Sequence, residues 1–250
     1  MTASSPSPRR RADLLLVERG LFDSRARAQA AIAAGGVRAN GVAVARASDM
    51  VPLDAEISAE PAHPWVSRAG VKLAHALDAF GLDVTGCEAL DVGASTGGFT
   101  QVLLARGAAH VTAVDVGRGQ LHALLAHDPR VTSLEATDIR DLAASALPRA
   151  PDVVTVDVSF APLGVVLPAA VALAARSAAL VVLVKPQFEV GRKEIGKGGV
   201  VRSAEARARA VADARALVER LGFAIAGELP SPIPGGDGNI EHLIGARRHG

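Results

Sequence analysis

Apolar positions along the chain follow two rhythms, and the change between them divides it. From Arg11 to Ile57 they come in short groups. RADLLLVERGLF places Leu14, Leu15, Val17 and Leu21 on a short helix that Gly20 can stop. Asp23 or Ser24 can cap a second helix with Ala28, Ala31 and Ile32 as its inward stripe, and Gly35-Gly36 ends it. VRANGVAV then reads as a hairpin through Val37, Ala39, Val42 and Val44, because Asn40-Gly41 tolerates positive φ at both central positions. Ser48 to Ile57 adds a last turn and a short strand.

Beyond Gly81 the rhythm becomes strand, helix, strand. Near-continuous apolar runs at 89–93, 111–116, 131–136, 153–158, 179–185, 223–229 and 242–247 predict strands. Helices are predicted at 71–79, 98–106, 119–126, 163–175 and 203–221. Strands apolar on both faces, separated by helices, describe an α/β domain whose parallel sheet is covered on both sides. The last two strands leave no room for a helix between them, so one of them runs antiparallel. That ending is typical of Rossmann-like methyltransferases and atypical of nicotinamide-binding folds. The expected organisation is a disordered tail at 1–8, a small α+β module at 9–60, a linker at 61–70 and an α/β domain at 71–250. Pro61 and Pro64 stiffen the linker, and Trp65 is its candidate anchor.

Composition narrows the chemistry. Of 250 residues, 49% are hydrophobic and only 3% aromatic, with no tyrosine, which disfavours the stacking sheet of RNA-recognition folds. Cys87 is the single cysteine, so an intramolecular disulfide is excluded and a cysteine zinc site is implausible. The seven histidines are scattered, and no metal site is legible. The apolar stretch from Pro162 to Val184 is broken by Arg176 and Ser177, and reads as a helix followed by a buried strand rather than a membrane span. MTASSPSPRRRAD has no apolar run that could act as a signal peptide, so the expected location is cytoplasmic, away from any membrane. Net charge is only +1, but residues 9–46 hold eight arginines against three acids. A small basic face of that kind suits nucleic acid, and equally a solvated surface.

LDVGASTGGFTQ is the first chemical signature. A strand ends at Asp91, and Gly93, Gly97 and Gly98 let the backbone turn tightly into a helix starting near Gly98-Phe99. It is not the dinucleotide fingerprint, because Ala94 and Ser95 occupy the spacer and second-glycine places. Asp115, 24 residues past Asp91, ends the next strand and can accept both hydroxyls of a ribose. Asp138 follows the third strand and could take an adenine amino group, or could simply cap a helix. Three carboxylates at neighbouring strand ends fit an adenosine-bearing ligand and favour S-adenosylmethionine. The expected cofactor set is Asp91, Gly93, Ser95, Gly97, Gly98, Phe99, Asp115 and Asp138.

DSRARAQAAIAAG followed by VRANGVAV resembles an S4-like RNA-binding domain. The resemblance implies that Arg25 and Arg27, with Arg11, Arg38 and Arg46 nearby, meet RNA phosphates. Guanidinium forks suit phosphate oxygens. WVSRAGVKL, LDVGASTGGFTQ, VDVGRGQL, TDIRDL, DVSFAPL, LVKPQFEVG, GKGGVVR and GNIEHL together resemble the hemolysin A-like (TlyA) family of ribosomal RNA 2'-O-methyltransferases, over about residues 11–247. In that family an S4-like module precedes an FtsJ-type methyltransferase domain. The resemblance implies a catalytic tetrad of Lys72, Asp157, Lys185 and Glu241, S-adenosylmethionine as cofactor, and ribosomal RNA or a ribosomal subunit as partner, with cytidine the target. It leaves open a monomer or a weak homodimer. Ala69 departs from the commoner SRGG form of the first motif.

The chemistry agrees with these residue types. A ribose 2'-hydroxyl must lose its proton, whereas the methyl of a sulfonium is already activated, so no metal is required. Lys185 leaves an apolar strand beside Asp157, where burial and cationic Lys72 would favour the neutral amine of a general base. Asp157 and Glu241 would orient the lysines. Trp65, Phe99, Phe160 and Phe188 are the aromatics expected near the cleft, where they could stack on a flipped nucleotide. GRKEIGKGGVVR sets Arg192, Lys193, Lys197 and Arg202 against Glu194, and can be a lid that grips RNA or a plain surface loop. The rival functions are a non-catalytic RNA-binding or ribosome-assembly protein and, with less support, a hemolysin.

Overall fold

A computed structural model describes residues 7–250, so most of the expected tail lies outside the described residues. The chain divides into two compact units, the first ending at Pro64 and the second running from Trp65 to Gly250.

The first unit contains β1 (Arg9–Arg11), α1 (Ala12–Glu18), α2 (Arg25–Ala33), β2 (Val37–Ala39), β3 (Val42–Ala43), β4 (Met50–Pro52) and β5 (Ile57–Ala59). β1 pairs with β4, and β2 lies between β3 and β5, all antiparallel. Ser24 caps α2 by accepting from the Arg27 N–H. Gly35 ends it in the left-handed region, and the Gly35 and Gly36 N–H groups return to the Ile32 and Ala31 carbonyls. Asn40 and Gly41 turn the hairpin with φ of 51° and 76°. The stripe on α2 is the expected one, and on α1, which ends at Glu18 before Leu21, burial is uneven. Ala12, Leu15 and Leu16 are buried, Leu14 and Val17 are only half-buried, and Leu21 is 41% exposed. In a run as uniformly apolar as LLLV the 3.6 period has several solutions, and the burial of Asp13 beside Ala12 selects this one.

The second unit contains α3 (Ala69–Phe80), β6 (Glu88–Val92), α4 (Gly98–Ala105), β7 (His110–Val114), α5 (Ala123–Ala126), β8 (Val131–Leu134) and β9 (Val153–Val156). α6 (Leu163–Ala172), β10 (Ala178–Val184), α7 (Pro186–Glu189), α8 (Ala204–Arg220), β11 (Ala224–Pro230) and β12 (His242–Arg248) follow. The seven strands lie in the order β11-β12-β10-β9-β6-β7-β8. Five are parallel, and β12 runs antiparallel to both β10 and β11. This is the expected α/β sheet, with one antiparallel strand set between β10 and β11.

Period two along β10 sorts its side chains between the two cores. Leu180, Val182 and Val184 join Val154, Val156, Leu163, Leu167 and Val218 on the α6–α8 side. Val181 and Leu183 join Leu73, Leu77, Val102 and Leu103 on the α3–α4 side. The helix expected at 119–126 shrinks to Ala123–Ala126. The N–H groups of Gly119, Gln120 and Leu121 instead donate to the Glu135 carboxylate at 2.7, 2.7 and 3.0 Å, and Gly119 has φ 62°. Among the described residues, no helix is long and apolar enough to cross a membrane.

Candidate active site

The chain runs outward through β6, β7 and β8, then returns to place β9 on the other side of β6. A crevice at the carboxyl ends of the strands is the result of such a reversal. Here it is a cavity of about 480 Å³ lined by Gly93, Ser95, Asp115, Gln120, Asp138, Asp157, Ser159 and Phe160, among others. Gly93 has φ 82°, and the loop it begins runs directly against the strand end at Asp157. Asp115 is held by two backbone donors, Ser95 N–H at 2.8 Å to Oδ2 and Gly117 N–H at 2.7 Å to Oδ1. Each carboxylate oxygen has a second lone pair available.

Other expected cofactor residues do not line this cavity. Asp91 is fully buried and accepts from Thr100 Oγ1 at 2.7 Å and Thr155 Oγ1 at 3.0 Å. Burial pushes its carboxyl up to about 6. It ties β6 to α4 and β9 behind the cavity wall. Gly97 and Gly98 are buried packing positions, where an added Cβ would lie 2.2 Å from Leu125 Cδ1 and from Ser67 Oγ respectively. Phe99, expected at the cofactor and near the cleft, is only 2% exposed and packs into the core with Leu73 and Leu103, outside the lining of this cavity. Asp138 does line the cavity, but it caps the turn at Ile139 and accepts from Arg140 Nε at 3.0 Å and Nη2 at 2.6 Å. The Arg140 guanidinium holds its carboxyl down to about 2. The capping alternative is the one present.

Lys72, Asp157, Lys185 and Glu241 stand as two ion pairs. Lys72, in the first turn of α3, pairs with Glu241 just before β12, and both side chains are buried. Lys185 Nζ, just past β10, lies 2.7 Å from Asp157 Oδ1, just past β9, at an angle too poor for a hydrogen bond. It donates instead to Ser159 Oγ at 2.9 Å. Strand register brings the pairs together. Val184 faces His242, so Lys185 and Glu241 continue the same ladder, while Val156 faces Val92, so Asp157 emerges beside Gly93. Two cations and two anions leave the group neutral, which makes its burial tolerable.

Phe160 is 91% exposed at the cavity mouth with φ 67°, and its ring centroid is 5.3 Å from that of Phe188. Trp65 is half-buried against Gly70, where an added Cβ would lie 2.5 Å from its ring. Arg192, Lys193, Lys197 and Arg202 are all exposed. Asn239, 1% exposed, fastens this loop: its Oδ1 accepts from Val201 N–H at 3.0 Å and its Nδ2 donates to the Gly199 carbonyl at 2.9 Å. Asn239, Ser159 and Glu135 were missed as site-building residues. Two of them lie inside motifs, GNIE and DVSF, whose charged or aromatic members drew the attention.

In the first unit the expected RNA-contacting arginines all have partners. Arg11 and Arg25 meet at Asp13, Arg27 pairs with Asp23 at 3.2 Å, Arg38 donates to the Gly41 carbonyl at 3.2 Å, and Arg46 pairs with Asp49 at 3.0 Å. Among the described residues, no group of three or more His, Cys, Asp or Glu side chains is placed to hold a metal ion.

The FtsJ-like methyltransferase family matches residues 65–248, and the S4 domain matches residues 10–57. The chain is 47% identical over 243 residues to the 16S/23S rRNA (cytidine-2'-O)-methyltransferase TlyA of Mycobacterium tuberculosis, covering 96% of this chain and 90% of that protein. It is 37% identical over 234 residues to Hemolysin A of Brachyspira hyodysenteriae, covering 93% and 98% respectively. A solved structure from Streptococcus thermophilus, also carrying the hemolysin name, superposes with a TM-score of 0.76 at 38% identity, covering 96% of this chain and 89% of that one.

Proposed function

The chain belongs to the TlyA family, an S4 domain joined to an FtsJ-like methyltransferase domain, and from that premise we propose that it methylates a cytidine ribose 2'-hydroxyl of ribosomal RNA. The observation that carries the reading is the Lys185–Asp157 contact, whose Asp157 lines the Asp115 cavity, with the buried Lys72–Glu241 pair joined to it through the β10–β12 ladder.

The cavity fits S-adenosylmethionine. Asp115, oriented by Ser95 and Gly117, offers acceptors to ribose hydroxyls, and Gly93 lets the loop that carries Ser95 lie against the backbone at Asp157. When bound there, the cofactor supplies an electrophilic sulfonium methyl. Lys185 is the general base. As the free amine it can donate an N–H to Ser159 and aim its lone pair at the 2'-hydroxyl proton. Asp157, 2.7 Å away, then stabilises the ammonium that forms. Glu241 holds Lys72 in place as the second cation of the site. The remaining work is positioning, since methyl transfer needs the oxygen in line at about 3 Å. The S4 domain docks the RNA through phosphate contacts by Arg11, Arg25, Arg27 and Arg38, and the 192–202 loop adds a second basic surface from Arg192, Lys193 and Lys197.

The test is transfer of labelled methyl from S-adenosylmethionine to ribosomal RNA lacking its 2'-O-methyls, with the product nucleosides separated. Label in 2'-O-methylcytidine is the expected result. Label confined to bases, or none with intact subunits and naked RNA alike, would overturn the proposal.

A further inference from the structure

Two of the S4 arginines are not independent cations. Asp13, in the first turn of α1, is fully buried. Its Oδ1 accepts from Arg11 Nε at 3.0 Å and from the Leu14 N–H at 3.1 Å. Its Oδ2 accepts from Arg25 Nη2 at 2.8 Å, Gln29 Nε2 at 2.9 Å and Arg11 Nη2 at 3.2 Å, with Arg25 Nε at 3.3 Å. The arginine side chains themselves remain 44% and 54% exposed. One buried carboxylate therefore fixes two guanidinium forks, one from the end of β1 and one from the start of α2.

A guanidinium has five N–H donors. Each of these two turns Nε and one Nη toward Asp13, which leaves the other Nη directed away from the carboxylate. The cluster carries two positive charges against one negative, so it still attracts an anion. Long side chains normally lose rotamer freedom when they grip a phosphate. Here that freedom is already lost on folding. We propose that Asp13 is a positioning residue for RNA docking, holding Arg11 and Arg25 as one pre-organised phosphate-binding pair. The inference rests on the docking role given above to the S4 domain.

Asp13→Asn discriminates sharply, because it removes a negative charge. If Asp13 were only a counter-charge that weakens the basic face, the substitution would tighten RNA binding. As a positioning residue, it should raise KM for ribosomal RNA by about 10-fold, with kcat at saturating RNA and KM for S-adenosylmethionine close to the parent. The measurements use the full chain, below the melting temperature of each variant. Arg11→Ala with Arg25→Ala should raise KM for RNA similarly, and adding Asp13→Asn to that background should change nothing further, since the residue acts through the arginines. An equal rise in both backgrounds, or a KM that is unchanged or lower in the single variant, would overturn the inference. An unchanged KM in the double alanine variant overturns the docking reading and the inference with it. Should Asp13→Asn fail to fold, Arg11→Lys and Arg25→Lys decide the matter. They keep the charge and lose the fork, and should cost nearly as much as alanine; KM within two-fold of the parent counts against the proposal.

Discussion

Gly93 passes so close to the strand end at Asp157 that a Cβ in its place would lie 2.4 Å from the Asp157 carbonyl oxygen. The loop proposed to hold the cofactor and the aspartate proposed to act in catalysis are thus in close backbone contact.

Gly93→Ala should disturb both functions. The backbone there has φ 82°, which an alanine adopts only with strain, and the clash is with backbone rather than a yielding side chain. A loss of about 1–3 kcal/mol in urea unfolding is expected, together with weaker S-adenosylmethionine binding and slower turnover. Parent-like values in both assays would show that the contact is not constraining.

Asp115→Ala should weaken S-adenosylmethionine binding at least 10-fold, about 1.4 kcal/mol, because two hydrogen bonds to a charged acceptor are lost. Isothermal titration on the folded variant is the measurement. An unchanged affinity would mean the cavity takes its ligand another way.

Lys185→Arg tests the base. It keeps the positive charge beside Asp157, but a guanidinium does not give up its proton. Single-turnover methyl transfer at saturating protein should fall by at least about 100-fold, nearly as far as in Lys185→Ala. Rates within a few-fold of the parent would make Lys185 an anchor for phosphate or for Asp157.

Asp91 supplies a pH test. Burial raises its carboxyl from 3.8 to about 6 in the folded protein. The folded state therefore holds that proton more tightly than the unfolded chain does, and ionising it opposes folding. The penalty is absent below about pH 4, grows up to about pH 6 and is constant above, reaching at most about 3 kcal/mol. Asp91→Asn should accordingly gain stability relative to the parent between pH 4 and pH 6, read as the difference between their urea midpoints. A difference independent of pH would refute the assignment, while shifts of other carboxylates cancel in the comparison.

Much of this was legible from local pattern. Ser24, Asn40-Gly41 and the near-continuous apolar run of β10 act through their immediate neighbours, so sequence order suffices to read them. The tetrad's lysines and acids were legible by motif, and the ladder between Val184 and His242 supplies the geometric reason they meet. What escaped was set by distant partners. Glu135 unwinds the expected start of α5 by accepting N–H groups 14 to 16 residues earlier. Asp91 on β6 and Phe99 on α4 occur in the string expected to bind the cofactor but are buried, Asp91 against Thr100 and Thr155 and Phe99 among Leu73 and Leu103, partners that the string itself does not name in full.

The position of β12 governs when a working site can exist. It is last of the seven strands in sequence, yet it lies inside the sheet between β10 and β11, with Glu241 immediately before it. A chain synthesised only as far as residue 240 leaves the edge of β10 open and Lys72 a buried cation with no counter-charge. Completion of the proposed active centre therefore requires a strand to be inserted into the sheet, not merely a loop to close.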